Sequence, residues 1–268
     1  MHRFVLLVLL LLLPTSAFAT WSVVAVDRNT GRIVIASATC LALEEPNSLK
    51  AVQAVVVPGV GIAACQSLID YSGTNQALVF EELQKGTDPK EIIRRLHGDS
   101  SIEQRQYGIV DLTGRTAGFS GSRNVQTSID RQGEVPGTGI FYSIQGNILR
   151  APGVITEAEK AFVETKGALT DRVMAAMEAG DRQGGDSRCT CSTPPTAKAP
   201  CEGKTSHVAY ILMAEKSDTS GNSVNDGKYS MYITVTQGTI RPEENANPVK
   251  TLRLRYDVWR KAQPASFR

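Results

Sequence analysis

Strand-forming and helix-forming segments arrive in separate blocks along this chain, and their order limits the folds open to it. Trp21 to Val26 and Arg32 to Thr39 are Val/Ile/Ala-rich runs on either side of turn residues 27–31, so a hairpin is expected. Ala51 to Val57 and Val60 to Gln66 form a second pair, split by Pro58-Gly59. A helix over 74–85 stops at Gly86, and a shorter one can be capped by Asp88, with Pro89 at its first position and Ile92, Ile93 and Leu96 on one face. Strands are expected at 107–111, 115–119 and 139–145. Thr156 with Glu159 has the form of a capping box for a helix to Thr165, and Thr170 opens another that ends at Gly180 with Val173, Met174 and Met177 inward. Strands at 207–214 and 229–236 and a helix after Pro248 complete the series. Such blocks predict an α+β fold, a four-layer αββα sandwich of two stacked, mainly antiparallel sheets with helices outside. No interior linker divides residues 20–268, so one domain is expected there.

The start of the chain bears on its compartment. Arg3 precedes ten unbroken apolar residues, Phe4 to Leu13, and Ala17-Phe18-Ala19 has the A-x-A form of a signal-peptidase site. Residues 1–19 therefore read as a signal peptide cleaved after Ala19, and the mature protein as periplasmic or secreted. Ten residues fall short of the ~20 needed to span a bilayer, and no later run is longer, so no membrane span is expected. No Cys follows the apolar run to carry a lipid. Lys and Arg number 29 against 27 Asp and Glu, a formal net charge of +2, with no block of like charge for a phosphate backbone. A nucleic-acid partner is not expected. A hydrophobic share of 41% with 21% charged residues also argues against disorder.

In an oxidising compartment the five cysteines, Cys40, Cys65, Cys189, Cys191 and Cys201, are expected to be bridged, with one thiol left over. Cys40 and Cys65 each end a predicted strand, which makes a bridge between them geometrically reasonable. The other three share one Ser/Thr/Pro-rich loop over 187–206, where an internal bridge is equally open. Three cysteines without a fourth ligand at suitable spacing are weak support for zinc, so neither metal nor cofactor is expected.

Histidine is scarce: His2 leaves with the signal peptide, and His97 and His207 sit beside no nucleophile motif such as G-x-S-x-G. Phosphate-loop, H-E-x-x-H and dinucleotide motifs are absent. Cleavage after Ala19, however, would give Thr20 a free α-amine. A threonine hydroxyl with its own amine is a self-contained nucleophile and base. An α-amine titrates near ~7.7–8.0, so roughly a tenth or more of it is unprotonated at neutral pH, where a Lys amine would be almost fully charged.

Thr20 to Asp27 with Gly31, Gly108-Ile109-Val110-Asp111 with Gly114, Gly121-Ser122-Arg123, Gln145-Gly146-Asn147 and Gly184-Gly185-Asp186-Ser187-Arg188 occur in that order. Together they resemble the bacterial domain-of-unknown-function family 1028, from Thr20 to about residue 262. The resemblance implies the N-terminal-nucleophile (Ntn) hydrolase superfamily, an αββα sandwich and hydrolysis of an amide. It makes Thr20 the nucleophile and Asn147 the first candidate for an oxyanion donor. Asp186 and Arg188 are candidates for a charged pair that orients a substrate carboxylate or the amine, or for a structural salt bridge. Thr39 and Gln66 close neighbouring strands and could face Thr20, with Asp27 a weaker option. The Cys-bearing loop departs from the family pattern and could cap or narrow the site. The expected partner is a small-molecule amide, and edge strands in both sheets make a homodimer the expected assembly. Two other readings stay open: a binding or envelope-associated protein on the same fold, and a redox protein using Cys189 and Cys191.

Overall fold

The computed structural model describes residues 20–264, so the expected signal peptide lies outside the described residues. The chain forms β1 (Thr20–Asp27), β2 (Arg32–Thr39), α1 (Leu49–Gln53), β3 (Ala54–Val57), β4 (Gly61–Ser67), α2 (Thr74–Gln84) and α3 (Pro89–Leu96). It continues through β5 (Arg105–Asp111), β6 (Thr116–Ser120), β7 (Ile129–Val135), β8 (Ile140–Asn147), α4 (Gly153–Glu164), α5 (Leu169–Arg182), β9 (Val208–Ala214), β10 (Met231–Thr236) and α6 (Pro248–Lys261). Among the described residues this is a mixed α+β fold with six α-helices and two antiparallel sheets, one of order β10-β9-β2-β1-β8-β7 and one of order β3-β4-β5-β6.

Alternation along β1 shows how the layers meet. Trp21, Val23 and Ala25 pack with Phe162 of α4, Met174 and Met177 of α5, and Leu252 and Tyr256 of α6. Val24 and Val26 face the other way and join Ile33 and Ile35 of β2 against Val56, Ile62, Ala64 and Val110 of the smaller sheet. The far side of that sheet, with Val55, Ala63 and Ile109, is covered by Val79 and Leu83 of α2 and Ile92 and Leu96 of α3. Burial on both faces explains why β1 and β2 are almost continuously apolar.

Four expectations are corrected. Residues 51–53 are helical rather than extended, because Ser48 caps α1 by accepting from Ala51 N (3.4 Å), and β3 begins only at Ala54. The strand β7 was not expected, since Ile129–Val135 is a partly exposed edge strand without apolar alternation. Helix α4 starts one turn early, after Pro152, which places Thr156 inside the helix rather than at its cap. Cys40 bridges Cys189 instead of Cys65, and Cys191 bridges Cys201. Cys65 lies on the helix-covered side of β4, buried among α2 and α3 residues, and keeps a free thiol. Its neighbours in alternation, Ala64 and Gln66, are the residues that face the larger sheet.

Candidate active site

Thr20 stands at the end of a central strand of the six-stranded sheet, opposite Thr39 of β2 on one side and Asn147 of β8 on the other. All three are buried. By alternation Thr20 shares the face of Ser22, Val24 and Val26, which is turned toward the smaller sheet. Gln66 of β4 reaches across from that sheet: its Nε2 donates to the Thr20 carbonyl (3.3 Å) and to Gln106 Oε1 (2.8 Å). Gln66 Oε1 accepts from Ser22 Oγ (2.6 Å) and Gln53 Nε2 (2.8 Å).

The network continues around Gln66. Gln145 Nε2 donates to Ser22 Oγ (2.6 Å), Gln53 Nε2 to Ser37 Oγ (3.0 Å), Tyr210 Oη to Gln53 Oε1 (2.9 Å) and Gln106 Nε2 to the Gly146 carbonyl (3.0 Å). Gly108 of β5 makes room for it: a Cβ there would stand 2.0 Å from Gln145 Oε1. Asn147 is held separately, its Nδ2 donating to Ser67 Oγ (3.0 Å), which donates to Asn124 Oδ1 (2.8 Å). Ser67 itself has φ +75°, a left-handed conformation that serine seldom adopts.

Thr39 and Gln66 thus lie beside Thr20 as expected, although Gln66 bonds the Thr20 main chain and not its side chain. Asp186 and Arg188 do pair: Arg188 Nη2 meets Asp186 Oδ2 at 2.8 Å and Arg188 Nε meets Oδ1 at 3.0 Å. The fully buried Asp186 also accepts from the backbone N–H of Cys40 (2.8 Å) and of Arg188 (3.0 Å). Its carboxylate therefore ties the segment after α5 to the end of β2, next to the Cys40–Cys189 bridge. Asp27 is at the opposite end of β1, ~23 Å of strand away, where it caps the hairpin turn through Asn29 N and Thr30 Oγ1. Cys189 and Cys191 are in two different bridges, so they do not form a dithiol.

Thr20 borders a small cleft with Leu41, Leu43, Leu49 and Val52. A second cavity, of about 210 Å³, adjoins it through Leu43 and is lined further by Pro195, Thr196, His207 and Gln237. Burial, reinforced by the Lys204 ammonium, holds the His207 imidazole below its usual pKa against the pull of the Thr193 and Cys40 backbone and of Asp186. A larger cavity of about 460 Å³ lies near the start of α2 and the end of α3, away from Thr20. Its charges are matched internally, with Asp99 Oδ2 accepting from Arg105 Nε (2.8 Å) and Asn75 Nδ2 (2.7 Å). Burial first, then Asp70, raises the Cys65 thiol well above its usual range, against Arg105, so it stays protonated at neutral pH. Among the described residues no group of three or more His, Cys, Asp or Glu could hold a metal ion.

Sequence reasoning missed Ser22, Gln53, Ser67, Gln106 and Gln145. Most of them carried a signal: in strands buried on both faces, a Ser or Gln in phase with the inward apolar residues must be satisfied by a partner from another strand.

The model of a family of unknown function, DUF1028, matches residues 20–194. The crystal structure of protein SPO2555 from Silicibacter pomeroyi, family-model DUF1028, is similar to this chain with a TM-score of 0.65, covering 93% of this chain and 91% of that one. Identity between the two is 20%, so the likeness speaks to the fold alone. Comparison with curated proteins finds no match. The family match begins at Thr20 and takes in more than half of the sequence, so the chain belongs to DUF1028, a family of unknown function.

Proposed function

We propose that this protein is an exported Ntn amidohydrolase, that its stack of helices and sheets is the four-layer αββα arrangement of that superfamily, and that residues 1–19 are a cleaved signal peptide. The observation that carries the reading is the position of Thr20: the first residue of a central strand, on the face turned to the second sheet, between Thr39 and Asn147. Two disulfides fit an oxidising compartment, and no helix among the described residues is long and apolar enough to cross a membrane.

In the proposed reaction the Thr20 hydroxyl oxygen attacks the amide carbon while its α-amine takes the hydroxyl proton. A tetrahedral oxyanion forms, held by Asn147 and a backbone N–H. The C–N bond breaks, the α-amine returns the proton to the leaving nitrogen, and an ester to Thr20 remains. Water then attacks the ester, releasing the acid and restoring the hydroxyl. Gln66 keeps the Thr20 carbonyl in place and Ser67 orients the Asn147 amide, so both are positioning residues. Asp186 and Arg188 anchor the neighbouring strand end, and the Arg188 guanidinium, a third exposed, could also receive a substrate carboxylate.

Intact mass and N-terminal sequencing of the exported protein, with and without an amide-directed β-lactone, test this. A chain that starts at Thr20 and carries the probe there supports the mechanism. A different start, or an inert Thr20, refutes it and leaves a binding protein on the same fold.

A further inference from the structure

By alternation the Thr20 side chain is turned to the seam between the sheets, and the small cleft it borders lies at that end of the seam. Leu41 and Leu43 of the segment after β2, Leu49 and Val52 of α1, and Ile69 of the segment after β4 form its apolar lining. Leu43 and Leu49 also pack into the apolar cluster between the sheets, which anchors two of the walls. The free space is about 10 Å³, close to the ~10–15 Å³ that one water-sized group needs.

The polar side chains around the cleft have their donors committed elsewhere. Gln66 places both amide hydrogens, on the Thr20 carbonyl (3.3 Å) and on Gln106 Oε1 (2.8 Å). Gln53 places its two on Ser37 Oγ (3.0 Å) and Gln66 Oε1 (2.8 Å), and Ser67 donates to Asn124 Oδ1 (2.8 Å). Cys65, which also borders the space, offers only a thiol, a weak donor. Among the described residues no Asp, Glu, Lys, Arg or His lines it. An ammonium group would find no carboxylate there, and a carboxylate no side-chain donor of ordinary strength apart from Thr20 itself, so the cleft favours a hydrocarbon group over either. Water is a poor occupant for the same reason, since it needs about two to four polar partners.

The reaction decides which half of an amide such a cleft takes. The leaving nitrogen gains a proton and must depart, which surroundings without polar partners oppose. The acyl half stays bonded to Thr20 through the ester stage and is uncharged until water releases it. We infer that the cleft is the acyl pocket of the enzyme and selects a short aliphatic acyl group of acetyl size, with Leu43 and Val52 limiting its length. The inference rests on Thr20 being the nucleophile, and it makes the substrate an N-acetyl-type amide whose charged or bulky part lies on the amine side.

Acyl transfer from p-nitrophenyl esters to Thr20 tests the pocket apart from any leaving amine. The Thr20 hydroxyl oxygen bonds to the acyl carbon, p-nitrophenolate leaves, and the hydroxyl proton passes to the α-amine. Rates on the mature protein are read by quenched peptide mass spectrometry and divided by each ester's hydrolysis in buffer. Acetyl should transfer about tenfold or more faster than butyryl, and propionyl about tenfold or more faster than its charged isostere glycyl. Val52→Ala keeps a good helix former in α1 and widens the cleft, so it should raise the butyryl-to-acetyl ratio about tenfold. Leu43→Ala, outside any helix or strand, gives the same measurement should α1 not tolerate the change. Thr20 acylated by butyryl as fast as by acetyl, by glycyl as fast as by propionyl, or with a ratio unmoved by the wider cleft overturns the acyl pocket and leaves the nucleophile standing. If no ester acylates Thr20, the nucleophile reading falls, and the acyl pocket falls with it.

Discussion

The seam between the two sheets has two halves built from the same strands and made of different material. At one end Val24, Val26, Ile33, Ile35, Ile62 and Val110 interlock as ordinary apolar core. Along those strands, in the same inward phase, follow Ser22, Ser37, Gln66 and Gln106, and the series ends at Thr20 and Thr39. Apolar packing is non-directional and tolerates small shifts, whereas a glutamine with four partners fixes the separation and register of the strands that supply them. One half of the seam provides stability, and the other fixes the place where Thr20 sits.

Substitutions test that division, and the largest effect belongs to Thr20. Thr20→Ala should lower turnover by about 10⁴-fold or more while leaving the melting temperature near that of the wild type, as activity and thermal-unfolding assays on one preparation would show. Ile62→Ala, in the apolar half, should cost about 3 kcal/mol in a urea titration yet leave the rate of Thr20 labelling unchanged below the transition. Gln66→Leu, in the polar half, should cost about 2 kcal/mol by stranding Ser22, Gln53 and Gln106, and should also slow the labelling. Equal labelling rates in these two variants would erase the distinction between the halves.

Two pH effects are smaller. Outside the seam, Arg255 beside Glu244, helped by Arg241, holds that carboxyl at about 2, below its usual 4.5. Its contribution is fully present above 4.5 and is lost as pH falls toward 2, so the melting difference between wild type and Glu244→Gln should close over that window. His207 behaves in the opposite sense to a salt-bridged histidine. Its depressed pKa means that the unfolded chain binds the proton more readily, so stability should fall as pH drops below 6.5, and His207→Gln should flatten that slope in thermal scans.

The blocks of strands and helices were legible because both sheets are covered, which leaves long apolar runs with clear turn residues between them. Helix α1 was not, since a five-residue helix set by one serine cap hardly differs from the start of the strand behind it. Strand β7 was hidden by its edge position. At the site, Thr20, Thr39, Asn147 and Gln66 were visible as residues at strand ends. Their connection through Ser22, Gln53 and Gln145 depends on which strands lie opposite each other across the seam, and pairing of that range is not written in local periodicity. The Cys40–Cys65 expectation failed for the same reason: both residues end strands, but the strands belong to different sheets, and Cys65 faces the helices.

The two disulfides do different jobs. Cys191 and Cys201 are ten residues apart, so their bridge acts on local shape alone. Cys40 and Cys189 are separated by 149 residues, and Cys40 immediately follows the residue paired with Thr20. That bond is a covalent tether between the far segment and the sheet's working edge. A molecule oxidised only at the short bridge would keep a closed local loop and lose its anchorage, so disulfide mapping, more than total thiol content, tells whether a preparation has its working edge assembled.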